Sequence, residues 1–268
     1  MKKLLFLSLL VSTFSFSQDT LVKRTTKNKG TFFVYWGWNR AAYTNSDIHF
    51  QGTNYDFTLQ DVQAKDRQSP FAFDTYFKSV TIPQYNLRIG YYINEKYSIS
   101  FGADHMKYVM VGTQKTTIDG KIATDTNYNN YNGTYSNTPF TIEPKFLLFE
   151  HTDGLNYLNL EVRRHDKLYQ YKKITLNLTE GVGAGILLPR TNTTLLNYPR
   201  YDQFHLAGFG LGAMVGLNIE FWNHFFIQAE GKTGYINMPD IRTTMHVEDK
   251  AKQQFGWIQG NVVFGVRF

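Results

Sequence analysis

The chain has 268 residues, with 28 Lys and Arg against 22 Asp and Glu. The resulting formal charge of +6, or +4 without Lys2 and Lys3, is too diffuse to argue for nucleic acid. There is no cysteine, which excludes disulfides, thiolate metal ligands and cysteine nucleophiles. With 22 Phe and 18 Tyr the chain is aromatic for a mean hydropathy of −0.36, and aromatic girdles at two bilayer interfaces would account for that combination.

At the amino terminus Lys2 and Lys3 precede an apolar run from Leu4 to Phe16 that ends in Ser15-Phe16-Ser17. This pattern predicts a secretory signal peptide over 1–17, cut beside Gln18, with 18–268 as one mature domain. The run is short of the roughly 20 apolar residues a spanning helix needs, and no other segment reaches that length.

Beyond it, period-2 alternation between turn signals predicts eight strands, near 30–43, 80–93, 97–112, 155–170, 173–190, 204–221, 225–239 and 254–268. An even number is what a closed antiparallel barrel requires. Short turns around Asn94-Glu95-Lys96, Tyr171-Lys172-Lys173 and Trp222-Asn223-His224 alternate with longer polar connections. Short turns belong on the periplasmic side, which makes 44–79 and 113–154 the large extracellular loops and puts both termini in the periplasm. The first loop contains the strand-like pieces DIHFQG and NYDFTLQDVQ, which suggest a hairpin above the membrane. The second is rich in Asn and Tyr.

The face assignments carry the prediction of a transmembrane barrel. On the sixth strand Phe209, Leu211, Val215, Leu217 and Ile219 fall on one face, and Gly208, Gly210, Gly212, Asn218 and Glu220 on the other. A soluble sandwich would turn the apolar face inward, whereas a lipid-facing barrel turns it out. The last strand alternates in the same way, from Ile258 through Val262, Phe264 and Val266 to Phe268. A terminal Phe closing such a strand resembles the targeting and assembly signal of Gram-negative outer-membrane barrels. The mature chain as a whole resembles the eight-stranded OmpA- and OmpX-like barrels. That resemblance implies an all-β, closed, eight-stranded antiparallel transmembrane barrel with long extracellular loops in the bacterial outer membrane, and it implies no particular activity.

An eight-stranded barrel is just wide enough for side chains to fill its middle. The inward positions predict a polar plug with four charges of each sign: Arg88, Arg163, Lys232 and Arg267 against Asp104, Glu161, Glu220 and Glu230. Buried charges are tolerable only when paired, and balanced signs permit pairing. His165, on the same face as Glu161 and Arg163, reads as a member of this network and not as a metal ligand, because no second ligand sits at metal spacing. A proton or ion path through a hydrated lumen is the alternative.

The hairpin between strands four and five has a definite register. Leu158, Leu160 and Val162 must face outward together with Ile174, Leu176 and Leu178, which predicts a turn centred on Lys172. Asn159, Glu161 and Arg163 then oppose Gly185, Gly183 and Gly181, large against small. Arg164 comes opposite Glu180, both on the lipid side. An Arg facing lipid near the midplane costs on the order of 2–4 kcal/mol. This misplaced polarity predicts a cross-strand ion pair, a placement of the two residues at the bilayer interface or, with Asp166, a lateral docking face for another membrane protein.

The enzymatic alternative rests on His151, Thr152 and Asp153, where strand four leaves the outer surface. Their arrangement faintly resembles the His-x-Ser pattern of lipid A deacylase barrels, with Glu161 as the orienting acid. It departs where it matters: position +2 from His151 is Asp153, and Thr152 would point to the opposite face. His49, His246 and Glu248 read as solvated loop residues. Gly181, Gly183 and Gly185 lie inside a strand and make no phosphate cradle. The sequence predicts neither cofactor nor metal. Its expected partners are outer-membrane lipid and lipopolysaccharide, and other envelope proteins met through the lateral face and the extracellular loops. The leading expectation is a non-enzymatic structural or accessory subunit of the envelope, ahead of a lipid A or phospholipid-modifying enzyme and a narrow channel.

Overall fold

The computed structural model describes residues 28–69, 73, 83–125 and 129–268. The expected signal segment 1–17 lies outside them. Eight strands pair antiparallel in chain order: β1 (Phe32–Tyr43), β2 (Tyr85–Tyr92), β3 (Tyr97–Met110), β4 (Leu147–Tyr171), β5 (Ile174–Leu187), β6 (Gly208–Phe221), β7 (Phe225–Arg242) and β8 (Lys250–Arg267). β1 meets β2 on one side, Tyr35 opposite Arg88, and β8 on the other, Val34 opposite Val266. The sheet thus closes on itself, and the ring has no free edge. All eight expected strands form.

About 9–11 residues suffice for a strand to cross a bilayer, yet β4 has 25 residues and β7 and β8 have 18 each. The excess stands on the side of the long connections, and there the polarity of the two faces inverts. In the lower part of β8, Ile258, Val262 and Phe264 point outward while Gln259 and Asn261 are buried inside. Above Trp257, Phe255 and Ala251 are buried inside and Lys252 and Gln254 face out. β3 and β4 change in the same way, from Asp104 to Met106 and Tyr108, and from Asn159 to Leu155 and Phe149. The inversion marks the level at which lipid outside gives way to water: below it the apolar face must point out, above it in.

The upper part is a second, dry core. Ser46–Gly52 pairs with the top of β8, followed laterally by Tyr55–Val62, Gln114–Ile122 and Gly133–Ile142. Arg190–Leu195 extends the top of β4 and pairs with Tyr201–Phe204. Ile48, Phe50, Phe57 and Leu59 from these pieces, with Phe146 just before β4, pack on Tyr108, Phe149, Met238 and Phe255 of the ring. Much of 44–79 and 113–154 is therefore sheet. At the opposite end the short turns 93–96, 172–173 and 222–224 are ringed by outward Phe32, Tyr91, Tyr97, Tyr171, Trp222 and Phe268, an aromatic girdle.

In the β4–β5 hairpin Glu180 faces Arg164, Gly181 faces Arg163, and Gly183 faces Glu161, the expected register. The turn, however, is not centred on Lys172. Ile174 faces Tyr171, so the connection is the two-residue Lys172-Lys173, with Lys172 at φ 51°. The odd residue is taken up by a bulge at Leu168, which leaves Leu168 and Tyr169 both facing outward. Matching the two apolar faces demands one extra residue in β4, and a bulge supplies it as well as a longer turn does.

Candidate functional site

The lower lumen is built from the inward positions of all eight strands. At its centre Tyr35 accepts hydrogen bonds through its Oη from Arg88 (3.0 Å) and Arg163 (2.8 Å) and donates to Glu230 (3.2 Å). Arg163 binds Glu161 at 2.6 Å and Glu230 at 2.7 Å. Arg88 binds Glu161 at 2.8 Å, with Asp104 at 3.9 Å. Lys232 bridges Glu161, at 2.8 Å, and Asp104. Three cations and three carboxylates thus share one buried net.

Neutral side chains satisfy the remaining valences. Asn86 and Asn159 donate to Asp104, while Gln228 and Asn261 donate to Glu230. The packing is possible because Gly181, Gly183 and Gly185 line the facing strand. A Cβ on Gly183 would stand 2.5 Å from Glu161 Cγ and 2.6 Å from the Leu160 carbonyl oxygen.

The fourth pair closes the end nearest the short turns. Arg267 binds Glu220 at 2.5 Å and donates to the Asn28 side chain at 2.7 Å. Asn28 in turn donates its backbone N–H to Glu95 at 2.9 Å. Phe33, Tyr92, Phe226 and Val263 make a small apolar layer near this end. His165 stands beside it, its Nε2 2.8 Å from Ser98 Oγ and its ring 4.8 Å from that of Tyr92. All eight charges named from the sequence therefore meet a partner of opposite sign, in one group of six and one pair. Tyr35, Asn86 and Gln228 complete the nets. Tyr35 went unnamed although the β1 inward set, Phe33, Tyr35, Gly37 and Asn39, follows the same alternation.

A polar seam separates the ionic layer from the dry core. The side-chain amide of Gln259, Asn261 Oδ1 and Trp257 Nε1 point into the lumen from β8 without a protein partner.

On the outer wall, Arg164 is held by Asp166, two residues along its own strand, with Nε to Oδ2 at 2.6 Å and a second bond at 3.1 Å. The cross-strand ion pair expected with Glu180 is therefore replaced by a bidentate pair to Asp166, whose short side chain meets the planar guanidinium fork with little reorganisation. Glu180 remains exposed on the lipid side and makes no ion pair with a described residue.

His151, Thr152 and Asp153 do not assemble. His151 lies inside the upper core against Tyr108 and Phe149, its Nδ1 2.9 Å from Thr191 Oγ1. Thr152 donates to Glu150 at 3.1 Å, and Asp153 pairs with Arg190 at 3.1 Å. Glu161 is committed to the lumen. His151 stands six residues above Tyr157, where the β4–β5 pairing ends, outside the membrane-spanning part of β4. Burial holds its imidazole far below the ordinary range, at about 3. Of the solvated loop residues, His49 meets Asp56 at 2.7 Å. Among the described residues no group of His, Cys, Asp or Glu could hold a metal ion.

A closed ring, an apolar outer belt and a charge-compensated interior define an eight-stranded transmembrane β-barrel of the outer-membrane type. The chain is similar to the outer membrane protein OprG from Pseudomonas aeruginosa, at 12% identity over 90% of this chain and 97% of that one with a TM-score of 0.38. It is also similar to the outer membrane protein AlkL, at 10% identity over 94% and 96% with a TM-score of 0.42. Similarity extends to Ail, the attachment invasion locus protein of Yersinia pestis, at 11% identity over 90% and 99% with a TM-score of 0.29. No protein-family model matches the chain, nor does any curated protein.

Proposed function

We propose that this protein is a non-enzymatic outer-membrane barrel, exported by its amino-terminal segment, that acts as a structural or accessory interaction subunit at the cell envelope. The short turns and both termini face the periplasm, and the roofed sheet faces outward. The observation that carries the reading is the filled interior. Opposite charges compensate one another across the lower lumen, and an apolar core covers them above. Such an interior supports rigidity and does not favour conduction. The surfaces left for function are the extracellular sheet and the outer wall.

On that wall Glu180 has Leu178 and Val182 along its strand, Val215 on one side and Arg164 on the other, and because Arg164 is committed to Asp166 the Glu180 carboxylate is left a costly neighbour for lipid. A membrane protein presenting a cation would relieve the cost, and Arg164 with Asp166 would edge the same contact. Solubilisation in mild detergent followed by affinity purification should return a stoichiometric envelope partner. Arg164→Leu combined with Glu180→Leu should release it. Retention of every partner by that variant would remove the lateral face, and stepwise ohmic conductance in planar bilayers would replace the plugged barrel with a channel. A shifted lipid A mass pattern in cells lacking the gene would favour the enzyme.

A further inference from the structure

Above the polarity inversion, the outward face of β7 and β8 gathers cations that the fold does not neutralise. Arg242 and Lys250 are direct cross-strand partners, and Lys252 follows two residues along β8 on the same face. Their neighbours Ile241 and Ala251 are buried in the upper core, which fixes all three cations on the outside. Like charges placed opposite one another in a sheet destabilise it, so the arrangement works against the local fold.

None of the three makes an ion pair with a described residue. Of the acids nearby, Asp240 is engaged by His205 at 3.0 Å, Asp56 by His49 at 2.7 Å, and Asp202 by Arg190 and Arg200, while Glu248 stands exposed in the connecting loop two residues before Lys250 and makes no ion pair with any of the three cations. Arg242 lies over the ring of Tyr201, its guanidinium carbon 5.9 Å from the centroid, which holds the fork in place. Its Nε is buried without a partner.

The height of the patch narrows what it can meet. Tyr235, outward on β7, pairs with Gly256 at the level of the inversion, and Lys252 is four residues further up β8. Four residues span about 13 Å along a strand, or about 10 Å in height at the usual barrel tilt. Lysine side chains reach back toward the membrane surface from there, into the layer that holds headgroup phosphates.

We propose that Arg242, Lys250 and Lys252 form a phosphate-binding site for the phosphorylated headgroup of an outer-leaflet glycolipid, the chemistry that lipopolysaccharide presents. The planar guanidinium takes two phosphate oxygens while the ammonium groups supply point charges around them. This rests on the outward orientation of the long-connection end under the proposed function.

The experiment titrates the full-length protein in neutral detergent with phosphorylated lipid A, with dephosphorylated lipid A and with inorganic pyrophosphate. Phosphorylated lipid A should bind at least tenfold more tightly than the dephosphorylated form. Lys250→Gln with Lys252→Gln should abolish that preference, as should the triple variant that adds Arg242→Gln. The double variant leaves the Arg242–Tyr201 packing untouched, and its unfolding temperature reports that the fold is intact. Pyrophosphate that binds as tightly as the lipid would assign the supported site to free phosphate; weak pyrophosphate binding would assign it to the headgroup. Equal binding of both lipids, or a folded double variant with wild-type preference, overturns the proposal. Orientation is read separately: Lys252→Cys in this cysteine-free chain should react with a membrane-impermeant maleimide on intact cells. Failure there overturns the orientation and leaves the binding result standing.

Discussion

Replacing Arg163 by Met tests whether charge compensation holds the lumen together. The substitution removes ion pairs of 2.6 and 2.7 Å. Glu161 keeps its ion pairs with Arg88 and Lys232, whereas the direct hydrogen bonds left to Glu230 come from the neutral Tyr35, Gln228 and Asn261. The six-charge group, neutral in the native chain, is left with one uncompensated negative charge in a buried site, at a cost of about 3–5 kcal/mol. Glu230→Gln alone leaves the opposite excess and should cost about 2–4 kcal/mol, since Arg163 retains Glu161. Combined, the two substitutions restore neutrality, so the double variant should be no worse than Arg163→Met alone. The implied coupling of about 3 kcal/mol is roughly a 150-fold difference in a rate or equilibrium constant. Urea unfolding in lipid vesicles, followed by tryptophan fluorescence, measures all four corners of the cycle. Additivity within about 0.5 kcal/mol would refute the argument, because it would mean that Arg163 and Glu230 do not feel each other's charge.

Three further outcomes follow from the geometry. His151 is neutral in the fold, with a pKa of about 3 against about 6.5 unfolded, so its contribution is complete above pH 6.5 and is lost as the pH falls toward 3; at pH 5 the upper core should be weaker by about 2 kcal/mol, seen as faster proteolysis there than at pH 7, and His151→Leu should flatten that dependence. Gly183→Val would drive a side chain against the Leu160 backbone and the Glu161 stem, and should sharply reduce the fraction of chain showing the heat-dependent gel shift of a folded barrel, while Gly231→Ala, with open space at its Cβ, should leave it unchanged. Phe57→Ala removes a ring buried in the upper core, which costs about 3–5 kcal/mol locally; protease should then cut the upper sheet while the gel shift persists, and loss of both together would mean that the two cores unfold as one.

The likeness to solved outer-membrane proteins concerns architecture, and the functional argument therefore rests on named side chains. Among these, the deacylase-like set is the clearest case of a pattern that spacing suggests and geometry disperses. His151 and Thr152 are neighbours in sequence, but a strand sends them to opposite faces. One enters a dry core while the other meets Glu150. Adjacency on a strand is thus weak evidence for adjacency in a site.

Alternation in the amino-acid sequence was enough to locate eight strands, to give each a lipid side and a lumen side, and to set Glu161 against Gly183 and Arg164 against Glu180. Those are local consequences of a period of two and of the need to match faces across a hairpin. Whether the odd residue of that hairpin sat in the turn or in a bulge at Leu168 was not local, since both solutions satisfy the same parity. Alternation also names the inward charges without saying which meet: Arg163 and Glu230 lie 67 residues apart, and Tyr35 joins them from β1 only because the ring closes. The upper core stayed hidden for a related reason. Ile48, Phe50, Phe57 and Leu59 carry the apolar face of ordinary amphipathic strands, and only closure of the sheet beneath them decides that this face turns in, where water replaces lipid outside.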